Sequence, residues 1–191
     1  MVISAQILAI EKCKSAGIKV AMATGDQLLA AKAIAQELGI LENQNEIKHG
    51  RDLELLTNEQ LDEKIEHLSA FARVSPTQKY RLVQSYQRKG FVTAMTGYGM
   101  NDAPALKIAE IDIGMGISGT DVTKETADII LAADNFATIV LAVEEGRIVY
   151  ENLQKVIKYL ISTSFAEIIA ILLTLSFIPG NPAIFTPIQI L

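Results

Sequence analysis

The segment MTGYGMNDAPALK, residues 95–107, constrains the fold more than any other part of the chain. Its first residues end an apolar stretch predicted as a strand, Gly97 and Gly99 indicate a loop, and Asn101-Asp102 opens an apolar helix. Loops of this build lie at the carboxyl ends of parallel strands, where α/β folds place their chemistry. The segment therefore predicts an α/β fold with a functional loop at the end of one strand.

The first 134 residues alternate between predicted helices and predicted strands. The predicted helices cover residues 3–16, 27–38, 76–89 and 102–110, and the predicted strands cover residues 19–24, 68–74, 91–95, 111–115 and 129–132. Residues 41–67 are polar and poorly periodic, so we expect a loop and a short helix there. This alternation predicts a parallel sheet covered by helices on both faces.

The pattern changes near residue 136 to one long helix, with no Gly or Pro between Arg147 and Ile178. Residues 135–158 are amphipathic and charged, as expected of a stalk. Residues 159–178 are apolar apart from hydroxyl groups and Glu167, and about 20 such residues cross a hydrocarbon layer of ~30 Å. We therefore predict a partial α/β domain over residues 1–134, a stalk, a transmembrane helix over residues 159–178, and in residues 179–191 a turn and the start of a second span.

The distribution of charge predicts how the span is oriented. Arg147, Lys155 and Lys158 precede it, and no charged residue follows Glu167. This asymmetry predicts an integral membrane protein with residues 1–158 on the cytoplasmic side. The alternative is a buried helix of a larger soluble protein, but a core helix rarely stays apolar on every face over this length.

Composition excludes two classes of protein. The net charge of −5 leaves no basic excess suited to a nucleic acid partner. The single cysteine, Cys13, rules out a disulfide framework within the chain, and we expect it to be a packing residue in a reducing compartment.

Polar residues at successive strand ends point to phosphoryl transfer. They are Thr24-Gly25-Asp26, Lys79, Asn101-Asp102 and the stretch 121–125. A hydroxyl and a lysine can hold phosphate oxygens, while carboxylates can hold Mg²⁺. Taken singly, each feature has an ordinary interpretation: a turn for residues 24–26, a solvated side chain for Lys79, and a helix N-cap for Asn101-Asp102.

Three stretches resemble the P-type cation-transporting ATPases of the haloacid-dehalogenase superfamily. They are VAMATGDQLLAAKAIAQELGI (20–40), FARVSPTQKYRLVQSYQRKG (71–90) and AMTGYGMNDAPALKIAEIDIGMGISGTDVTKETADIILAADNFATIVLAVEEGR (94–147). FARVSP and NFATIVLAVEEGR are similar to the calcium and sodium/potassium branch, not to the heavy-metal branch. The resemblance implies the C-terminal part of a phosphorylation domain, with an incomplete haloacid-dehalogenase-like Rossmannoid sheet, followed by the fifth membrane helix.

The resemblance also implies roles for residues at the phosphorylation site. Thr24, beside Gly25, would bind a phosphoryl oxygen, and Asp26 would support that loop near the nucleotide. Lys79 would neutralise the aspartyl-phosphate, and Asn101 would contact phosphate. Asp102 would lie beside Mg²⁺ and order its loop. The cofactors implied for the complete family are ATP and Mg²⁺.

Further roles follow from the same resemblance outside that site. Arg73 would approach the nucleotide, and Glu167 would bind the transported cation. An intramembrane carboxylate is a functional site by default, although a purely structural contact with a neighbouring helix is the alternative. The partners implied are membrane lipid, the transported cation and an N-terminal pump half.

The chain departs from the family pattern at two important points. The family motif reads TGDGVNDAPALK, and here Tyr98 stands where the family has the aspartate that binds Mg²⁺. A phenol, neutral near pH 7, cannot replace that carboxylate at ordinary affinity. In addition, no aspartate precedes Asp26, so the nucleophile of the DKTGT motif and the nucleotide-binding domain that follows it are absent from these residues. Ser164 also replaces an asparagine usual in calcium pumps.

These departures lead to three hypotheses. The first is a segment of an ATP-driven, calcium-like transporter that is inactive alone. The second is a non-catalytic membrane protein that regulates or partners an intact pump, which Tyr98 would suit. The third is a haloacid-dehalogenase phosphatase, against which the missing nucleophile and the apolar tail argue.

Overall fold

The computed structural model describes residues 2–41 and 46–177. Its helices are α1 (Val2–Ser15), α2 (Leu28–Glu37), α3 (Gly50–Glu54), α4 (Asn58–Lys64), α5 (Pro76–Arg88), α6 (Ala103–Leu106), α7 (Asp121–Thr126) and α8 (Ala137–Phe177), with a 3-10 turn at Ile65–His67. Its strands are β1 (Met22–Ala23), β2 (Ile47–His49), β3 (Ala70–Ala72), β4 (Ala94–Gly97), β5 (Ile111–Met115) and β6 (Ile129–Leu131). One compact unit ends at Leu141 and a second begins at Ala142. The domain limits drawn from sequence stay predictions.

Among the described residues all the strand pairs are parallel, as predicted, but they form two sheets instead of one. The strand orders are β1-β3-β2 and β4-β5-β6. Met22 and Ile47 both pair with Ala70, and Ala94 pairs with Ile111. In the described part of the chain, β1 has β3 as its partner strand and β4 has β5. Both sheets therefore present an edge at a strand whose following loop carries predicted site residues.

The first sheet is buried on both faces of its central strand, as the prediction of a covered parallel sheet requires. Ala70, Phe71 and Ala72 of β3 are all buried. Phe71 packs in one cluster and Ala70 in another, because neighbouring residues of a strand point to opposite faces. Around Phe71 lie Leu53, Leu61, Ile65, Leu68, Val74 and Leu82, and around Ala70 lie Ile10, Ala35, Ile40 and Leu41.

The second sheet is covered in a similar way at β5. Ile113 and Met115 pack with Leu131 and with Ile139 in the first turn of α8. Gly114 points to the other face, where a Cβ atom would lie 3.0 Å from that of Ala127. A side chain at this position would press on the end of α7, which would have to shift by a few tenths of an ångström, so glycine suits this close packing.

Helix α5 packs against elements on both sides of the break between the sheets. It contacts α3 and α4, which cover the first sheet, and α6, which packs on β4 and β5. Pro76 occupies its first turn, and Ser75 and Gln78 form a capping box, two features that pre-organise a helix start. Gly90, with φ of +83°, follows its end. The helix predicted over residues 76–89 is confirmed to within one residue.

The prediction for residues 41–67 was wrong in part, because this stretch contains β2, α3, α4 and the 3-10 turn instead of a loop with one short helix. Residues 42–45 lie outside the described residues. Strand β2 was missed because it has only three residues, two of them Lys48 and His49. Helix α4 begins with a capping box between Thr57 and Gln60, a pattern that can be recognised in the sequence.

Most other elements also differ from their predicted bounds; β3, predicted over residues 68–74, is regular only at Ala70–Ala72. The strand predicted over residues 19–24 is regular only at Met22–Ala23. The strand predicted over residues 91–95 begins three residues later, because the Phe91 amide donates to the carbonyl of Tyr86 and closes the end of α5. The helix predicted over residues 102–110 ends at Leu106, well before Glu110 binds the backbone of Thr93.

Helix α8 is continuous over 41 residues, which confirms the long helical pattern. The Asn135 carboxamide oxygen accepts from the amide of Ala137 at its start, 3.0 Å away. Large apolar side chains along the helix are exposed. Among the described residues, α8 is the one helix long and apolar enough to cross a membrane. The second apolar segment predicted after residue 178 lies outside the described residues.

Candidate active site

The loop that follows β1 holds Thr24 and Asp26 in mutual contact. The Thr24 hydroxyl donates to the Asp26 carboxylate at 2.8 Å, and the Asp26 amide donates back to the Thr24 hydroxyl oxygen at 3.1 Å. The Thr24 carbonyl accepts from the Val74 amide at 3.1 Å. These bonds form the turn that the ordinary interpretation of residues 24–26 expected, and they fix it, with Gly25 at its centre, against the end of β3.

Arg73 stands directly beside this loop. Its amide donates to the Asp26 carbonyl at 3.0 Å, and its φ of +54° is a left-handed conformation that non-glycine residues rarely adopt. Gly50 makes the turn possible, because a Cβ atom there would overlap the Arg73 carbonyl oxygen. The Arg73 side chain is exposed and helps to line an open cavity of ≈ 540 Å³ with His49, Gly50, Arg51, Glu54, Ser75 and Gln78.

Lys79 and Asp102 form an ion pair between α5 and the loop after β4. The ammonium nitrogen lies 2.6 Å from one carboxylate oxygen, and the side chains are only 17% and 10% exposed. The other carboxylate oxygen accepts from the Tyr98 amide at 3.1 Å. The interpretation of Lys79 as a solvated side chain is therefore wrong, and Asp102 precedes α6 without capping it. The pair links α5, which packs on the helices beside the first sheet, to the loop after β4 of the second sheet.

Gly97, at the end of β4, allows the Asp102 side chain to lie close against the backbone of that strand. A Cβ atom on Gly97 would lie 2.5 Å from the Cβ atom of Asp102, so a larger residue would displace the carboxylate. Tyr98 is 57% exposed, and its carbonyl accepts from the Thr120 amide at 3.2 Å. Asn101 is exposed on the same loop. The stretch 121–125 forms most of α7, which Thr120 caps.

The donor set around Asp102 does not fit Mg²⁺. This ion requires near-octahedral coordination by oxygen ligands, of which the protein usually supplies one or two carboxylates. Here both oxygens of Asp102 are already engaged, and the neighbouring Tyr98 offers a neutral phenol. Within residues 2–41 and 46–177, no three His, Cys, Asp or Glu side chains are grouped as a metal site would require. As arranged here, these residues offer the ion no free carboxylate oxygen.

Glu167 lies in the second unit, on the apolar part of α8. Its side chain is exposed, as is that of Ser164 one turn earlier. Nearby, the Thr163 hydroxyl donates to the carbonyl of Tyr159 at 3.1 Å, so this hydroxyl is satisfied within the helix. Glu167 is thus a carboxylate surrounded along its helix by apolar side chains.

Gln78 is a residue of the site that the sequence interpretation missed. Its carboxamide oxygen accepts from the Ser75 amide at 2.8 Å, and its nitrogen donates to the carbonyl of Gly50 at 2.8 Å and to Glu54 at 3.1 Å. It therefore ties the start of α5 to the chain that borders Arg73. The Ser-Pro-Thr-Gln sequence at residues 75–78 was the available signal, since it fits a capping box.

Comparison with known proteins places these observations in a family. Residues 4–110 match the family described as haloacid dehalogenase-like hydrolase. A calcium-transporting ATPase of Bacillus subtilis is 46% identical over 183 residues, which are 96% of this chain and 20% of that protein. The human sodium/potassium-transporting ATPase subunit alpha-2 is 46% identical over an alignment covering 86% of this chain and 19% of that protein.

A solved structure agrees with these relatives. The crystal structure of a zinc-transporting PIB-type ATPase in its E2.Pi state superposes with a TM-score of 0.67 and 31% identity. The match covers 87% of this chain and 23% of that one. The chain spans about a fifth of the length of the curated relatives it matches.

Proposed function

The chain belongs to the haloacid dehalogenase-like hydrolase family, and we propose that it is a segment of an ATP-driven cation transporter that works through an aspartyl-phosphate. The observation that carries this proposal is the 2.6 Å pair between Lys79 in the first turn of α5 and Asp102 in the loop after β4, in a chain that also contains the apolar helix α8. Such a pump requires both a positively charged side chain that can hold the phosphoryl group and a helix long enough to cross the membrane. A soluble phosphatase needs only the first.

In this proposal the residues of the first unit act on a phosphoryl group. The hydroxyl of Thr24 and the ammonium of Lys79 hold its oxygens, and Asp26 keeps the loop with Gly25 in place. Asn101 contacts the phosphate. Lys79 must exchange its present partner for the phosphoryl group, which the surrounding hydrogen bonds allow because Asp102 keeps the Tyr98 amide.

Two further assignments extend the proposal to nucleotide and cation. The exposed guanidinium of Arg73 contacts the nucleotide at the rim of the site. The left-handed backbone turn at Arg73 fixes the position of this residue. Glu167 binds the transported cation within the bilayer, since a carboxylate at that depth is costly unless it has such a task. The first unit, with the helix start up to residue 158, lies on the cytoplasmic side.

The nucleophile must come from residues beyond the 191 of this sequence, because no aspartate precedes Asp26. The edges of β1 and β4 suit this arrangement. Each has one strand partner among the described residues, and each leads into a loop of the site. A strand that paired with either edge would end beside Thr24 or Asp102.

Tyr98 makes this segment inactive in magnesium-dependent chemistry. It replaces a carboxylate with a neutral phenol in a loop whose one remaining carboxylate is paired with Lys79. The same residue favours a second candidate function, a non-catalytic membrane protein that binds and regulates an intact pump. A site that has lost its metal ligand can still persist for binding.

The deciding experiment measures Mg²⁺-dependent transfer of the γ-phosphate of ATP to protein. The chain and its Tyr98→Asp variant are each co-expressed with the N-terminal half of the Bacillus subtilis relative, which we expect to supply the nucleophile. We expect phosphorylation only with Tyr98→Asp. A Tyr98→Asp/Lys79→Ala double variant is the control, since it restores the ligand but removes the proposed phosphate-binding cation.

The other outcomes are equally informative. Phosphorylation with native Tyr98 would show that the magnesium argument is wrong and that the chain is a working half. If neither chain supports phosphorylation while both co-purify with the supplied half, the transporter proposal loses to the regulatory candidate.

A further inference from the structure

Asp134, between β6 and α8, clamps the loop that follows β5, at the carboxyl end that the parallel strands β5 and β6 share. Its carboxylate accepts from the amide of Ile117 at 3.0 Å, from the amide of Ser118 at 2.7 Å and from the Ser118 hydroxyl at 2.6 Å. These donors, the Ser118 hydroxyl above all, hold the pKa of this carboxyl below its ordinary value. An ionised side chain thus fixes the chain that follows β5.

The clamped loop reaches the candidate active site directly. Gly119 donates its amide to the Met115 carbonyl at 3.1 Å, which closes the loop, and the next amide, that of Thr120, donates to the Tyr98 carbonyl at 3.2 Å. The Tyr98 amide in turn donates to Asp102. A continuous path of hydrogen bonds and short chain segments therefore leads from Asp134 to the carboxylate that pairs with Lys79.

The backbone at Asp134 indicates that this clamp is maintained against strain. Its φ of +49° lies in the left-handed region, which glycine adopts freely and which aspartate adopts more readily than most other residues but still at some cost. The next residue, Asn135, accepts from the amide of Ala137 and from the hydroxyl of Thr138 and so holds the first turn of α8. One strained turn therefore fixes both the loop at the site and the start of the long helix.

We propose that Asp134 is a positioning residue for the site loop 97–102, acting through residues 117–120. Its bonds set where the Tyr98 backbone lies, and with it the Asp102 carboxylate. Because Asp134 lies next to the first turn of α8, we infer that a movement of this turn would also shift the Tyr98 backbone and the Asp102 carboxylate. The consequence for phosphoryl transfer rests on the proposed function, whereas the positioning of the loop does not.

Hydrogen–deuterium exchange, followed by mass spectrometry of peptides, tests the positioning. The sample is the full chain co-expressed with the supplied pump half. Asp134→Ala should increase exchange about tenfold in peptides covering residues 97–102 and 116–120, because a clamp of several charge-assisted hydrogen bonds is lost. Peptides covering β1 and β3 should exchange as before. Asp134→Asn, which retains one acceptor oxygen, should give an intermediate increase.

Asp134→Gly separates the carboxylate from the backbone strain. Glycine adopts the positive φ without cost, so a clamp that depends on the carboxylate predicts the same local increase as for Asp134→Ala. Asp128→Asn is the matched control, because Asp128 also bridges β5 and β6 but bonds to Asp112 at the opposite ends of these strands. It should leave residues 97–102 unchanged.

Three results would overturn the proposal: native exchange in Asp134→Gly, an equal increase in Asp128→Asn, or a uniform increase over the whole chain. The exchange measurement does not depend on phosphorylation. If the Tyr98→Asp chain is never phosphorylated but Asp134→Gly still frees the loop locally, the pump assignment fails and the positioning stands. If phosphorylation occurs and exchange stays native, only the positioning fails.

Discussion

The rings of Phe71 and Phe165, one in each unit, differ in how much of their surface is exposed. Phe71 on β3 is 1% exposed and lies at the centre of a packed cluster, whereas Phe165 on α8 is 62% exposed among other exposed apolar residues. In the first unit, burial within the protein removes apolar surface from water. In the second, helix α8 has no such burial among the described residues, as a helix that crosses a membrane would show.

The two units also differ in how they satisfy their backbone. Helix α8 satisfies most of its hydrogen-bonding groups within itself, which makes it suited to a bilayer. The first unit also contains strands, whose backbone groups bond to neighbouring strands. The edges of β1 and β4 leave room for a further strand, and we expect the isolated chain to aggregate or to need a partner. A monodisperse, cooperatively unfolding monomer in detergent would contradict this expectation.

The largest expected effect comes from truncating the buried ring. Phe71→Ala should lower the free energy of unfolding of the first unit by about 3–5 kcal/mol, because it removes apolar contacts and leaves a cavity. Phe165→Ala, the matched change on α8, should leave that quantity unchanged. Pulse proteolysis in urea, on the chain co-expressed with the supplied half, measures both. Equal losses would show that the two units are not energetically distinct.

A charged residue on α8 should affect the second unit and not the folding of the first. Ile168→Arg should disfavour membrane insertion by about 2.5–3.5 kcal/mol, the cost of an arginine near the centre of a span. A glycosylation-mapping assay of insertion would detect this loss. Gln154→Arg, placed in the charged stalk, is the control and should insert normally. If Ile168→Arg inserts as well as the native chain, α8 is not a transmembrane helix.

The ion pair of the site should have an intermediate effect on stability. Lys79→Met leaves the mostly buried Asp102 without its cation and should cost about 1–3 kcal/mol, a range reduced because both groups keep some access to water. Adding Asp102→Asn should recover part of this loss. The double-mutant cycle is measured by the same urea titration, and a coupling energy near zero would show that the pair has no role in stability.

The smallest effect concerns pH. Hydrogen bonds from the hydroxyl and amide of Thr93 lower the pKa of Glu110 from 4.5 to about 2. The contribution of Glu110 is therefore present above pH 4.5 and is lost as the pH falls towards 2. Glu110→Gln and Thr93→Val should each flatten the acid dependence of stability in that window. An unchanged slope in both variants would show that these bonds do not favour folding.

Prediction from sequence succeeded where an element is long or where proline and glycine mark its ends. Helix α5 has proline at its start and glycine after its end, and β5 has the predicted bounds, residues 111–115. It failed for β2, which is short and polar, and for α6, which ends after four residues. The roles proposed for Thr24, Lys79, Asn101, Asp102 and Glu167 remain predictions.

The sequence by itself determined the parallel α/β pattern, the long apolar helix and the family, because these depend on periodicity and on motifs that are local in the chain. Only the tertiary structure decided that the strands form two sheets, that Lys79 pairs with Asp102 across them, and that Asp134 holds the loop beside Tyr98. Each of these features joins residues distant in sequence. Whether such residues meet depends on packing and backbone geometry, which no local pattern specifies.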